Sequence, residues 1–145
     1  MEKVLIIMGS ESDKEIAEKA EQVFKELGVS SRTEIASAHR NPDKVDALVK
    51  GTGADIIIAI AGLSAHLPGV CASKTIKPVI GVPIDAKLGG MDSLLSIVNM
   101  PPGIPVATVG IDNGKNAGLL AAQILAVSDK ALQKKLLDYR EKMKK

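Results

Sequence analysis

Aromatic side chains are nearly missing from this chain. Its 145 residues include one Phe, one Tyr and no Trp, yet 46% are hydrophobic. The core must therefore be aliphatic, and such residues bury less area each than aromatic ones. Subunit association makes up that deficit, so an oligomer is expected before any motif is read. The same scarcity removes the stacking platforms that nucleic-acid bases or a flavin would need. Cysteine is down to a single residue, Cys71, which excludes an internal disulfide and any multi-cysteine metal site. It lies among small residues (Gly69-Val70-Cys71-Ala72-Ser73) and reads as a buried, inert thiol.

Charge of one sign is missing too, the net value being +2. Basic residues gather in 130–145, but acids interleave with them, as on a solvated helix face rather than a nucleic-acid surface. No apolar run reaches the roughly 18 residues of a membrane span. Met1-Glu2-Lys3 and the apolar run behind it are too short for a signal peptide and read as a strand, so a cytoplasmic protein is expected. There is no G-x-x-x-x-G-K-[ST], because Ser73-Lys74-Thr75 lacks the preceding glycine, and neither a G-x-G-x-x-G nor an H-E-x-x-H occurs. No metal, nucleotide cofactor, nucleic acid or membrane partner is expected.

What is present is an alternation of strand and helix signals. Val4–Met8 and Asp55–Ala61 are continuous apolar runs, as for strands buried on both faces. Thr33–Ser37, Val79–Val82 and Val106–Ile111 are the other expected strands. Ser12 with Glu15 reads as a capping box, followed by Ile16, Ala20, Val23, Phe24 and Leu27 at helical spacing and a stop at Gly28. Asn41 and Pro42 open a second helix. Gly62–Gly69 is expected to be a loop entering a third, Asp92 to cap a fourth, Gly114–Val127 to form a fifth, and Ser128 to cap a last amphipathic helix. The pattern predicts one α/β domain over residues 1–145: a three-layer αβα sandwich around a flavodoxin-like five-stranded parallel sheet of order 2-1-3-4-5, with an additional C-terminal helix.

In such a sheet ligands bind at the carboxyl ends of strands, where the strand order reverses. Gly9-Ser10-Glu11-Ser12-Asp13 follows the first strand and Ser37-Ala38-His39-Arg40-Asn41-Pro42 the second. Ser12 reads as a helix cap and Asp13 as facing the helix dipole, which leaves Gly9-Ser10 unaccounted for; the segment also reads as a phosphate and ribose site, and the two readings are compatible. A lone histidine is most often a surface or packed loop residue. His39, however, precedes a helix start at a strand end, where it can serve as general acid or base, and Arg40 can clamp a phosphate. The loop Ala61-Gly62-Leu63-Ser64-Ala65-His66-Leu67-Pro68-Gly69 has small residues that let backbone approach a flat ring. His66 there reads as structural or pocket wall rather than catalytic. A receiver-type regulatory module would need acidic residues where Gly9-Ser10 and Ala61-Gly62 stand.

Taken in order, G-S-x-S-D, S-A-H-R-x-P, A-G-x-x-A-H-L-P-G, G-x-D-S-L-L-S-I-V-x-M-P-x-G-x-P-V-A-T-V and N-A-x-x-L-A-A-x-I-L resemble the PurE family of purine biosynthesis, over residues 4 to about 140. The resemblance implies a flavodoxin-like subunit, a homo-octamer, no metal or ATP, and transfer of a carboxylate from N5 to C4 of an aminoimidazole ribonucleotide. It implies His39 as the catalytic histidine and Ser10, Asp13 and Arg40 as substrate-binding positions. Ser12, Ser37, Ala38, Gly62, Ser64, His66 and Leu67 become further pocket positions. A-H-R and A-H-L-P-G are similar to the mutase class; the alternative is the sister class that carboxylates aminoimidazole ribonucleotide directly with CO2. The chain departs from the common mutase pattern at Leu63-Ser64, where two very small residues are usual, and at Asn99, where glutamine is usual.

Overall fold

The computed structural model describes residues 1–145. Its strands are β1 (Val4–Met8), β2 (Ser31–Ile35), β3 (Ile56–Ala61), β4 (Val79–Pro83) and β5 (Ala107–Thr108). Its helices are α1 (Lys14–Leu27), α2 (Pro42–Gly51), α3 (Leu67–Ala72), α4 (Met91–Val98), α5 (Gly114–Ala126) and α6 (Lys130–Met143). All five strands are parallel, in the expected order β2-β1-β3-β4-β5.

The sheet is covered on both faces because its central strands are apolar at every position. Successive side chains alternate across the sheet. Leu5, Ile7, Ile57 and Ala59 pack against Val45, Val49, Leu67, Cys71 and Ile97 of α2, α3 and α4. Ile6, Ile56, Ile58 and Ile60 pack against Ile16, Ala17, Ala20, Phe24, Ala117 and Ala121 of α1 and α5. The four isoleucines of β3 are at most 1% exposed, and each contributes about 1.5–3 kcal/mol by leaving water. α6 lies outside this layer, inserting Leu132 among Val23, Leu27, Ala122 and Ala126. Cys71 is fully buried, and loss of hydration pushes its thiol up to about 12, so it stays protonated and inert at neutral pH. No helix is long and apolar enough to cross a membrane.

Several boundaries differ from the sequence expectation. β2 runs over Ser31–Ile35, not Thr33–Ser37; it is an edge strand with polar, half-exposed residues, and its register is set by β1 (Val4 opposite Ser31). β5 is two residues long instead of six, because the chain turns away through Gly110 and Asp112, the latter at φ 58°. α3 starts at Leu67, with Pro68 and Gly69 inside it, since proline is tolerated in a first helical turn. Three caps move. Ser12 does not cap α1: it sits in a 3-10 turn (Glu11–Asp13) that Ser10 caps, and Asp13 stands at the N-cap of α1. Gly90 rather than Asp92 precedes α4, and Asp129 rather than Ser128 caps α6 by accepting from the Leu132 N–H at 3.0 Å. Asn41 caps α2 as expected, accepting from the Lys44 N–H at 3.2 Å.

Candidate active site

Four loops leave the carboxyl ends of β1, β2, β3 and β4 and close around a cleft of about 360 Å³. It lies where the strand order reverses, between β1 and β3. The β1 loop contributes Ser10, Ser12 and Asp13, the β2 loop Ser37, Ala38, His39 and Arg40, and the β3 loop Gly62, Ser64, His66 and Leu67. All of the positions singled out in the sequence thus share one cavity, including His39 and the hydroxyl-bearing turn at Ser10. Ile84 and Ala86, after β4, also line it and were not anticipated. A signal existed: β4 pairs with β3, so its end must open beside the third loop. Gly62 seats that contact, because a Cβ there would lie 3.3 Å from both the Ile84 and the Ala86 Cβ.

The loops are tied together by few, specific bonds. The Gly9 N–H donates to the Ile60 carbonyl at 3.0 Å, holding the first loop to β3. Arg40 Nη2 donates to the Gly9 carbonyl at 2.9 Å, holding the second loop to the first. Ser37 organises its own turn, its Oγ accepting from the Arg40 N–H at 3.2 Å and its carbonyl from the Asn41 N–H at 2.9 Å. Ser12 Oγ donates to Ser10 Oγ at 3.1 Å, and the Ser12 N–H reaches the same oxygen at 3.3 Å. Leu63 holds φ 56° and is 53% exposed. A bulky residue in the left-handed region costs roughly 1–2 kcal/mol, so the surrounding loop holds it there against its own preference.

His39 and His66 meet. His39 Nε2 and His66 Nδ1 are 2.7 Å apart, with the rings at 73° and their centroids separated by 4.8 Å. His66 therefore does more than pack: it occupies one nitrogen of the other imidazole. Both rings are exposed on the cleft, as is Arg40. Together the cleft offers a cationic guanidinium, two neighbouring hydroxyls, one carboxylate and an imidazole pair. That set suits a phosphorylated, hydroxyl-bearing substrate that undergoes proton transfer. No group of three or more His, Cys, Asp or Glu side chains is placed so that it could hold a metal ion.

Asp13 is the one buried charge here, at 8% exposure. Loss of hydration raises its carboxyl above the ordinary 3.8, outweighing a hydrogen bond from the Ser10 backbone and the attraction of Arg40, while Asp112 adds repulsion. The folded state therefore binds this proton more tightly than the unfolded chain. The stabilising contribution is complete below 3.8 and is lost as pH rises through the raised value. Asp13→Asn is accordingly expected to melt higher than the natural protein at neutral pH, with an advantage that shrinks toward 3.8, while affinity for substrate falls. Thermal melts of the two proteins across that range check the sign. An Asn variant less stable at neutral pH would show that the carboxylate's partners outweigh its burial.

Comparison with known proteins adds an independent line. The AIR carboxylase family profile matches residues 3–145. N5-carboxyaminoimidazole ribonucleotide mutase of Methanocaldococcus jannaschii is 64% identical over 142 residues, covering 98% of this chain and 90% of that protein. The protein of the same name from Pyrococcus abyssi is 52% identical over 149 residues, covering 100% and 86% respectively. The crystal structure of PurE from Treponema denticola superposes with a TM-score of 0.87 at 34% identity, covering 96% of this chain and 89% of that one.

Proposed function

The chain belongs to the AIR carboxylase family, and from that membership we infer that it carries out the N5-carboxyaminoimidazole ribonucleotide mutase reaction of purine biosynthesis. The observation that carries this reading is the 64% identity to a mutase over nearly the full length of both chains. The cleft supports it, because every residue type the reaction calls for lines one cavity.

The chemistry is a carboxylate shift between two atoms of one substrate. Protonation of N5 breaks the N5–carboxylate bond and releases CO2. The electron pair of the neutral aminoimidazole then attacks CO2 from C4, and loss of the C4 proton restores the aromatic ring. One proton enters at N5 and one leaves at C4, so a single acid–base group balances the turnover. His39 fills that role, an imidazole being able to give and regain a proton near neutral pH. A small cleft keeps the CO2 beside C4, where its effective concentration is high. Arg40 and the hydroxyls of Ser10 and Ser12 hold the phosphate, and Asp13 accepts from ribose hydroxyls. Ser37, Ala38, Gly62, Ser64, His66 and Leu67 form the wall against the ring. No step requires a cofactor.

Turnover tests the reading directly. The N5-carbamate is expected to be converted to the C4-carboxylate without added bicarbonate, followed by ultraviolet absorbance. Conversion of the unmodified ribonucleotide plus bicarbonate, with no activity on the carbamate, would instead assign direct carboxylation.

The octamer belongs to the same proposal, as does a cytoplasmic location. Its support is a stripe of Leu88, Met91, Leu95 and Val98 along α4 and the turn before it, 78%, 49%, 57% and 51% exposed. Met91, Leu95 and Val98, spaced four and three, share one face of α4, with Leu88 on the turn before it, and large apolar side chains exposed together are costly to leave in water. Light scattering is expected to give about eight times the 15.2 kDa subunit mass; a monomer mass would remove the octamer from the proposal.

A further inference from the structure

The part of the cleft wall formed by Ile84 and Ala86 hangs on one peptide group. The Ile84 carbonyl and the Asp85 N–H are its two ends, and side chains from two other elements hold both. Ser93 Oγ, on α4, donates to the Ile84 carbonyl at 2.7 Å. Asp112 Oδ1, in the loop between β5 and α5, accepts from the Asp85 N–H at 3.0 Å. On the strand side, the Ile84 N–H donates to the Ala61 carbonyl of β3 at 3.1 Å.

Both gripping side chains are themselves fixed. Ser93 is fully buried. A helical serine commonly turns its hydroxyl back onto its own helix. Here that carbonyl, of Gly90, lies at 2.9 Å, and Ile84 is the nearer acceptor. Gly90 also packs on the same segment, since a Cβ there would stand 3.3 Å from the Asp85 Cα. Asp112 holds φ 58°, a left-handed conformation that aspartate tolerates. Its N–H donates to the Pro83 carbonyl at 2.8 Å, and its carbonyl accepts from the Gly114 N–H at 3.1 Å. The carboxylate is thus anchored to β4 and to the start of α5 before it reaches Asp85.

We propose that Ser93 and Asp112 are positioning residues: by gripping the two ends of the Ile84–Asp85 peptide they set the wall that keeps the substrate's ring in register with His39. The proposal rests on the mutase reading and deepens it. In that reading the β1 and β2 loops hold phosphate and ribose, so the ring's remaining freedom is toward the β3 and β4 loops. Ile84 and Ala86 close that side of the cleft, whereas neither Ser93 nor Asp112 lines it. A wall that gives way lets the ring tilt, and N5 and C4 then leave the reach of one imidazole. Misplacement of reacting atoms costs rate more than affinity.

Three single variants and one double variant test the grip. Ser93→Ala removes the donor, and the Ile84 carbonyl keeps its bond from the Ala86 N–H. Asp112→Gly removes the acceptor at a φ that glycine adopts freely, whereas Asp112→Asn keeps an oxygen there without the charge. kcat is expected to fall about tenfold in Ser93→Ala and in Asp112→Gly, with KM within about threefold, and to stay within about twofold of wild type in Asp112→Asn. Because both side chains hold one peptide, the Ser93→Ala/Asp112→Gly double variant is expected to lose no more than the worse single. Amide exchange at Asp85, followed without substrate, is expected to speed up in Asp112→Gly and to stay slow in Asp112→Asn. A double variant as active as wild type would overturn the proposal. So would losses that multiply, an effect on KM alone, or an Asp112→Asn as impaired as Asp112→Gly. The exchange readout needs no turnover, and wild-type activity on the carbamate is measured separately, so failure here is distinguishable from failure of the mutase reading.

Discussion

His39→Asn is expected to bind the ribonucleotide nearly as well as the natural protein and to lose about 10²–10⁴-fold in kcat. Asparagine keeps a polar group of similar size on the same turn, where Ser37 holds the backbone. Its amide has no proton to give near neutral pH and cannot take one. Phosphate and ribose contacts come from other side chains, namely Arg40, Ser10, Ser12 and Asp13, so most binding energy survives. The expected pattern is a collapsed kcat with KM and calorimetric affinity for the C4-carboxylated product changed by less than about tenfold. Retained turnover would remove His39 from the acid–base role. Lost binding would make it a wall residue whose effect on rate is indirect. The substitution also deletes one half of the imidazole pair and removes the partner of His66 Nδ1.

The parts of the fold legible in the sequence were those whose physics is local or strongly one-sided. β1 and β3 are buried on both faces, and Val4-Leu5-Ile6-Ile7-Met8 and Ile56-Ile57-Ile58-Ala59-Ile60-Ala61 are written as unbroken apolar runs. β2 was misplaced by two residues because an edge strand needs no apolar run: Ser31-Arg32-Thr33-Glu34 pairs through backbone and leaves side chains half exposed. The caps at Ser12, Asp92 and Ser128 failed for another reason. Ser, Asp and Gly neighbours compete on nearly equal terms, and the winner is decided by how the preceding element delivers the chain.

The candidate site was legible as a set of loops, since strand ends and polar residues are both visible in one dimension. Its internal geometry was not. The contact of His39 with His66 depends on the lateral order of β2, β1 and β3 and on the short α3 beginning at Leu67. Ile84 and Ala86 carry no chemistry that would single them out, and the positive φ of Leu63 breaks the preference of its residue type. Strained and juxtaposed positions of this kind are where local rules give way to function.

The largest effect on stability is expected far from any reacting group, at Gly114→Ala. Gly114 opens α5 where that helix crosses α1, and a Cβ there would stand 2.1 Å from the Ile16 carbonyl oxygen. That oxygen is backbone inside α1, so no side-chain rotation relieves the clash and one helix must shift against the other. Gly118 repeats the arrangement one turn on, 3.1 Å from the Ala20 Cα and the Val23 Cβ. With Ala17, Ala117 and Ala121 these residues let two helices approach closely over Ile6, Ile58 and Ile80. Small side chains thus do by close contact what a chain with one phenylalanine cannot do by bulk. Forcing them apart opens gaps along the whole seam, and the expected cost is about 3 kcal/mol. For a domain of this size that is roughly a 10 °C fall in melting temperature. Gly51→Ala is the control, because nothing lies within 4 Å of a Cβ at that position. It should melt no lower than the natural protein, since alanine is the better helix former. Equal losses at both sites would mean that glycine itself, and not the helix crossing, sets the stability. A loss confined to Gly114 has a second consequence. Ile16 is three residues from Asp13, so displacement of α1 moves the wall of the cleft, and kcat/KM should fall together with the melting temperature.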